Sequence, residues 1–132
     1  MISGSTGSVG HALVQTARAA GASVIALVSS DEKASQAREA GPHFVINWQH
    51  GNVVEDVMAL TEGKEADVAF DPVGGHLFSL LLASLRRMGQ LISIGFTGGK
   101  EVSVNLLDII GREKIVKGYA LHSDTPEQDL NS

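Results

Sequence analysis

Three glycines at every third position, Gly4, Gly7 and Gly10, come directly after a short apolar stretch, and residues with helical periodicity follow them. Glycine allows the chain to turn tightly, the backbone to approach a ligand closely, and a helix to pack close to a strand. A strand, a glycine-rich turn and a helix in this order commonly form a phosphate-binding unit. This feature therefore predicts an α/β fold with an anion site near the amino end of the chain.

The residues of this turn are expected to hold a pyrophosphate. The N–H groups in the first turn of a helix have no partner within the helix, and the helix dipole makes that end partly positive. They can therefore donate hydrogen bonds to phosphate oxygens. The phosphate-binding residues that we predict are Gly4, Thr6, Gly7, Ser8, Val9 and Gly10.

Apolar runs alternate with helical segments along the rest of the chain. Residues 22–28 (ASVIALV) are apolar almost throughout, which is typical of a parallel strand covered on both faces, and Ser29 followed by Glu32 indicates a helix start. We expect strands at residues 1–3, 22–28, 44–46, 66–71, 90–95 and 114–120, and helices at residues 9–20, 29–40, 53–61, 75–85 and 105–111. This alternation predicts a Rossmann-like, doubly wound parallel sheet of six strands in a three-layer α/β/α arrangement.

The length of 132 residues suits one domain, which we assign to residues 1–121, followed by a polar tail at residues 122–132. Strands usually run about 5–6 residues, whereas three residues precede the first glycine and the tail shows no apolar face. We therefore expect the chain to be a fragment of a longer protein.

Composition and charge exclude several classes of partner. The net charge is −5 and no cluster of Lys and Arg occurs, so neither nucleic acid nor an anionic membrane surface is an expected partner. The chain has no Cys, which excludes disulfides and fits a reducing compartment, and we expect a cytoplasmic protein. No metal site is expected, because the histidines are scattered at His11, His43, His50, His76 and His122.

The end of the second predicted strand indicates which dinucleotide would bind. NAD sites usually place an acidic side chain there to hold the ribose hydroxyls, but this strand ends at the uncharged Val28. Ser29, Ser30 and Lys33 instead offer hydroxyls and a cation, which suit a 2′-phosphate, although they also fit a capped helix start. Asp31 lies among them and would either repel a phosphate or bind a ribose. The pattern favours NADPH over NADH.

Five segments of the chain also match a known family in order and spacing. They are SGSTGSVG (residues 3–10), VQTARAAGASVIALVSSDEK (14–33), AGPHFVINW (40–48), DPVGG (71–75) and LISIGFTGG (91–99). With these motifs the chain resembles the cofactor domain of the medium-chain dehydrogenase/reductases, and most closely that of their zinc-free quinone oxidoreductase (zeta-crystallin-like) branch. The resemblance covers nearly the whole sequence.

The resemblance implies roles for individual residues. Lys33 matches the lysine that pairs with the 2′-phosphate of NADPH in the family, and Ser29 lies beside it. Trp48 falls where relatives often carry a Tyr near the adenosine. Four further residues match positions at which the family's backbone meets the nicotinamide, namely Val73, Ile94, Gly95 and Phe96.

The resemblance also implies an activity and a partner. The family transfers a hydride from NADPH to quinones, enones and other activated double bonds, in a pocket shared with a second, GroES-like domain that this sequence lacks. No catalytic residue can be named here, and we expect the isolated chain to bind cofactor but to be inactive. The family tends to dimerise through its last strand, which corresponds here to residues 115–119.

Two other readings stay open on the sequence alone. Extended short-chain dehydrogenases share the spacing of the three glycines, but their Tyr-x-x-x-Lys pair is absent, since the single Tyr119 is followed by Ser123 at that distance. A Rossmann domain can also serve as a non-enzymatic dinucleotide sensor that regulates a partner protein.

Overall fold

Strands and helices alternate throughout residues 1–119, the part of the chain that the computed structural model describes. The helices are α1 (Ser8–Ala19), α2 (Asp31–Ala37), α3 (Val53–Leu60), α4 (Gly75–Ser84) and α5 (Leu106–Ile110). The strands are β1 (Ile25–Val28), β2 (Phe44–Asn47), β3 (Ala66–Asp71), β4 (Leu85–Ser93) and β5 (Ile115–Gly118). The predicted tail at residues 122–132 and the predicted last residue of the sixth strand, Ala120, lie outside the described residues.

Two parallel ladders are joined by the segment at residues 1–3. β1 pairs with β2, and β4 lies between β3 and β5. The N–H of Ile2 donates to the Ile25 carbonyl at 2.9 Å, and its own carbonyl accepts from Leu27 at 2.8 Å. On the other side, Ser3 donates to the Phe70 carbonyl at 3.1 Å. The order across the molecule is therefore β2, β1, Ile2, β3, β4, β5.

The predicted count of six strands is not confirmed, because residues 1–119 contain five strands. The predicted strand at residues 1–3 is reduced to a bridge at Ile2, which pairs with Ala26 and Phe70. Gly4 has a φ of +57° and turns the chain out of the sheet directly after Ser3, so the segment cannot extend either ladder. The α/β class and the parallel pairing agree with the prediction.

Helices cover both faces of the sheet, as the predicted three layers require. Leu27 of β1 lies in the main core with Leu81 of α4, together with residues of α3. Val28, the next residue, packs on the opposite side with Ala34 of α2. Ile2 pairs with Ala26, whose side chain lies on the same face of the sheet as that of Val28. On this face Ile2 packs in a second cluster that includes Val14 of α1.

β4 differs most from its predicted bounds of residues 90–95. It begins at Leu85, directly after α4, and its pairing with β3 is irregular between Ala66 and Val68. It ends at Ser93. The chain then passes beside the turn after β3, and the N–H of Ile94 donates to the Asp71 carbonyl at 3.0 Å. In the described part of the chain, no helix has the length and apolarity needed to cross a membrane.

A buried lysine connects the last helices to β5. The Lys114 side chain is fully buried, and its Nζ donates to the Leu82 carbonyl at 2.7 Å and lies 3.4 Å from Asp108 Oδ1. Leu82 lies in the last turn of α4, where carbonyl groups lack partners within the helix and favour a cation. Lys114 therefore ties α4 and α5 to the start of β5.

We expect Lys114→Met to lower the free energy of unfolding by about 1–3 kcal/mol, because it removes a buried donor from two oxygens. Urea unfolding followed by circular dichroism measures this difference. Lys117→Met in β5 is the matched control, since Lys117 is exposed, and we expect its effect to stay within about 0.5 kcal/mol. An equal loss at both positions would contradict the role of Lys114.

Candidate functional site

A cleft of about 480 Å³ opens where the carboxyl ends of the two ladders diverge. The glycine turn forms its floor, the end of β1 forms one wall, and Pro72 and Val73 after β3 form the other. Ligands of open α/β sheets bind at this kind of position, outside the carboxyl ends of the strands at the switch in strand order. The fold therefore brings the predicted phosphate turn to the place where a ligand is expected.

The three glycines of the turn are required for different reasons. At Gly4, φ is +57° and an added Cβ would lie 3.0 Å from Cγ2 of Val73. At Gly10, an added Cβ would lie 2.7 Å from the Gly4 carbonyl carbon and 2.9 Å from the Ser5 Cα, inside van der Waals contact. At Gly7, φ is −73° and a Cβ would meet only the Gly4 carbonyl oxygen, at an ordinary 3.5 Å. The fold demands glycine at positions 4 and 10 but not at 7, where the missing side chain instead widens the cleft.

The amino end of α1 faces this cleft without a side-chain cap. Gly7 is the residue before the helix, and no side chain among residues 1–119 accepts from its first N–H groups. By contrast, Ser30 caps α2 and Asn52 caps α3. No acidic residue occurs in the first turn of α1, and Ser8 and Val9 line the cleft. The backbone donors of this turn and the positive end of the dipole are thus available to an anion.

A cation and a hydroxyl stand at the other end of the cleft. Lys33 Nζ donates to Ser29 Oγ at 3.2 Å, and both residues line the cleft. The helix start that the sequence assigned to Ser29 is shifted by one residue, because Ser30 Oγ accepts from the Lys33 N–H at 3.1 Å. The shift leaves the Ser29 hydroxyl on the cleft and places Ser30 in the cap, away from the lining.

A buried carboxylate holds the opposite wall in place. Asp71 Oδ1 accepts from Ser3 Oγ at 2.7 Å and from the N–H groups of Val73 and Gly74 at 2.9 and 3.0 Å. Asp71 is fully buried, and its Oδ2 has no hydrogen-bond partner among residues 1–119. One oxygen therefore connects the residue before the glycine turn to the turn that presents Val73. The sequence marked Asp71 only as the first residue of the DPVGG motif, because its contact with Ser3 spans 68 residues.

Most of the predicted site residues converge on the cleft. Those that line it are Gly4, Thr6, Gly7, Ser8, Val9, Gly10, Ser29, Lys33, Trp48 and Val73. The backbone N–H of Trp48 donates to the Val28 carbonyl at 2.9 Å and fixes the residue beside the end of β1. The centroid of its ring lies 6.4 Å from that of the His76 ring.

Three predicted residues of the loop after β4 do not line the cleft. Gly95 packs against the turn after β3, where a Cβ would lie 2.6 Å from the Pro72 oxygen, and Phe96 is 65% exposed. In the same loop, Thr97 and Gly98 line the cleft, whereas Ile94 does not. Thr97 and Gly98 belong to the LISIGFTGG motif that the sequence analysis named. The motif was therefore found from the sequence, but the path of the loop, which decides which of its residues reach the cleft, was not.

One ionisable side chain lines the cleft within the described residues. Lys33 is the only ionisable side chain among its lining residues in the described part of the chain, so the cleft offers a cation but no general base. Residues 1–119 contain no group of three or more His, Asp or Glu side chains placed to hold a metal ion. His43, for example, has a structural contact, since its Nδ1 accepts from the Val24 N–H at 3.0 Å.

Comparisons with known proteins agree with the fold and the motifs. The sequence pattern of the zinc-binding dehydrogenase family matches residues 8–131. The chain is 39% identical over 100 residues to the quinone oxidoreductase of Salmonella typhimurium, which covers 76% of this chain and 31% of that protein. It is 34% identical over 111 residues to the 2-haloacrylate reductase of a Burkholderia species, which covers 84% of this chain and 33% of that protein.

The crystal structure of the Escherichia coli quinone oxidoreductase complexed with NADPH superimposes with a TM-score of 0.83 at 31% identity. The match covers 98% of this chain and 41% of that one. The chain spans about a third of the length of the curated relatives named above. The resemblance drawn from the motifs is thereby confirmed. The chain belongs to the zinc-binding dehydrogenase family, as a quinone oxidoreductase-like cofactor-binding domain of the medium-chain dehydrogenase/reductase superfamily.

Proposed function

We propose that this chain binds NADPH and is the cofactor domain of a zinc-independent oxidoreductase that reduces quinones, enones or related activated double bonds. The observation that carries the proposal is the cleft itself, which has an uncapped helix end at one side and the pair of Lys33 and Ser29 at the other. Two separate anion sites in one cleft suit the pyrophosphate and the 2′-phosphate of NADPH.

Each part of the cofactor has residues that suit it. The N–H groups at the start of α1 would hold the pyrophosphate, Lys33 and Ser29 the 2′-phosphate, and Trp48 the adenosine. Val73 and the loop after β4 would stand beside the nicotinamide, the part of the cofactor that supplies the hydride. The protein's contribution is to fix these groups in one extended orientation.

The rest of the reaction is assigned to the remainder of a longer, two-domain enzyme. Among residues 1–119, the ionisable side chain that lines the cleft is Lys33, and these residues hold no metal-ligand set for the zinc of the family's name. We therefore propose that the isolated chain binds cofactor but is inactive or nearly so, and that the part of the enzyme outside this chain selects the substrate.

The proposal includes a homodimer and a cytoplasmic location. Among residues 1–119, β5 is the edge of its ladder, and its side chains Ile115 and Val116 are 46% and 42% exposed. An apolar edge strand with unpaired backbone groups favours pairing with a second copy. We propose the cytoplasmic location because the chain has no cysteine, which fits a reducing compartment.

Calorimetric titration of the purified chain with NADPH and then NADH tests the proposal, and we expect NADPH to bind more tightly. Lys33→Ala should weaken NADPH binding by about tenfold or more, because it removes a charged hydrogen bond to the 2′-phosphate, and it should leave NADH binding unchanged. Lys64→Ala is the matched control, since Lys64 borders a different depression at the other end of the sheet. Equal losses for both nucleotides would contradict the 2′-phosphate assignment.

Gly7→Val should abolish the binding of both nucleotides while the domain stays folded, because the side chain would fill the pyrophosphate position and its Cβ would meet only the Gly4 carbonyl oxygen, at an ordinary 3.5 Å. Gly10→Ala is the comparison, because it forces a Cβ against the backbone of Gly4 and should lower the free energy of unfolding by about 1–3 kcal/mol. Thermal unfolding and the same titration separate the two effects. Retained affinity in folded Gly7→Val protein would refute the phosphate-turn assignment.

A further inference from the structure

The carboxylate of Asp31 stands in the sequence between the two residues assigned to the 2′-phosphate, Ser29 and Lys33. An acidic side chain near the end of this strand, as Asp31 is three residues after Val28, can bind the ribose hydroxyls of NAD and would repel the additional phosphate of NADPH. Asp31 would therefore work against the proposed preference for NADPH. The side chain of Asp31 nevertheless does not line the cleft, although Ser29 and Lys33 do.

The structure shows where this carboxylate goes. Asp31 Oδ1 accepts a hydrogen bond from Asn47 Nδ2 at 3.0 Å, and its Oδ2 lies 3.7 Å from His50 Nε2. These residues line a separate depression between β2 and α3. Asp56 of α3 lines the same depression and carries the same charge as Asp31. The directed hydrogen bond from Asn47, and not a general positive field, is therefore the main contact that holds Asp31 there.

The amide of Asn47 is itself fixed in the orientation that this contact needs. Its Oδ1 accepts from the Gln49 N–H at 3.0 Å, so its Nδ2 is left to donate to Asp31. Asn47 ends β2 and pairs in register with Val28, the last residue of β1. The next residue, Trp48, lines the cleft. One short segment thus places an aromatic ring in the cleft and holds a carboxylate out of it.

We propose that Asn47, assisted by His50, is a specificity-determining residue that keeps Asp31 away from the 2′-phosphate position. The inference rests on the proposed function, since it concerns how the same site chooses between NADPH and NADH. The side chain of Asp31 is 83% exposed, so no packing would retain it if the contact with Asn47 were lost. The carboxylate would then be able to turn towards Ser29 and Lys33, where it opposes a phosphate and suits a ribose.

The test is a titration of the full chain with NADPH, NADH and adenosine 2′,5′-bisphosphate, which carries the 2′-phosphate without the nicotinamide. Asn47→Ala should weaken binding of NADPH and the bisphosphate by about fivefold, the size of one exposed charge interaction, and leave NADH binding equal or tighter. Asp31→Asn added to Asn47→Ala should restore the original ratio of the two affinities. The matched control is Glu32→Gln added to Asn47→Ala. It removes the same charge from the neighbouring position, and it should not restore the ratio of the two affinities.

The outcomes distinguish the inference from the function on which it rests. If NADPH binds more tightly than NADH to the parent chain but Asn47→Ala leaves the ratio unchanged, or lowers both affinities equally, the role of Asn47 is overturned and the NADPH site stands. Rescue by Glu32→Gln as effective as that by Asp31→Asn would overturn the assignment to Asp31. If the parent chain binds neither nucleotide, or does not prefer NADPH, the proposed function fails and the inference fails with it.

Discussion

The hydrogen bonds of residues 1–3 to both ladders are the interaction on which this structure depends. Ile2 pairs with Ala26 on one side and with Phe70 on the other, and no other strand joins the two halves among residues 1–119. Because the chain leaves the sheet at Gly4, this joint is also the point from which the cleft opens. The segment that completes the sheet therefore fixes the distance between the two walls of the site.

Asp71 extends this joint into the cleft. A buried carboxylate is costly unless hydrogen bonds compensate for the lost water. Here three donors converge on Oδ1, one from Ser3 and two from the turn after β3, while Oδ2 has none within the described part of the chain. The burial of this carboxylate has a structural role, because its three hydrogen bonds orient the turn that carries Val73. Hydrogen bonds to one oxygen of Asp71 thus connect the glycine turn to the opposite wall.

The sequence predicted the local features well and the distant ones poorly. The strand at residues 66–71 has its predicted bounds, and the predicted phosphate turn lies on the cleft, because apolar runs and glycine spacing are local signals. The start of β4 was missed because Leu81, Leu82 and Leu85 continue the helical spacing of α4, and no glycine or proline marks the boundary. Contacts such as Ser3 with Asp71 join residues far apart in sequence, and periodicity carries no information on them.

The site also explains how an acidic domain can offer a binding cleft to a more acidic ligand. The chain has a net charge of −5, yet salt screens exposed charges beyond about 8–10 Å. What a bound phosphate meets is therefore set by the few groups at the cleft. Those groups are the bare end of α1, which has no acidic residue in its first turn, and Lys33. The carboxylate of Asp31, two residues after Ser29 in the sequence, bonds to Asn47 in a separate depression. The positive character of the cleft therefore comes from the end of α1 and from Lys33, and it does not follow from the net charge of the chain.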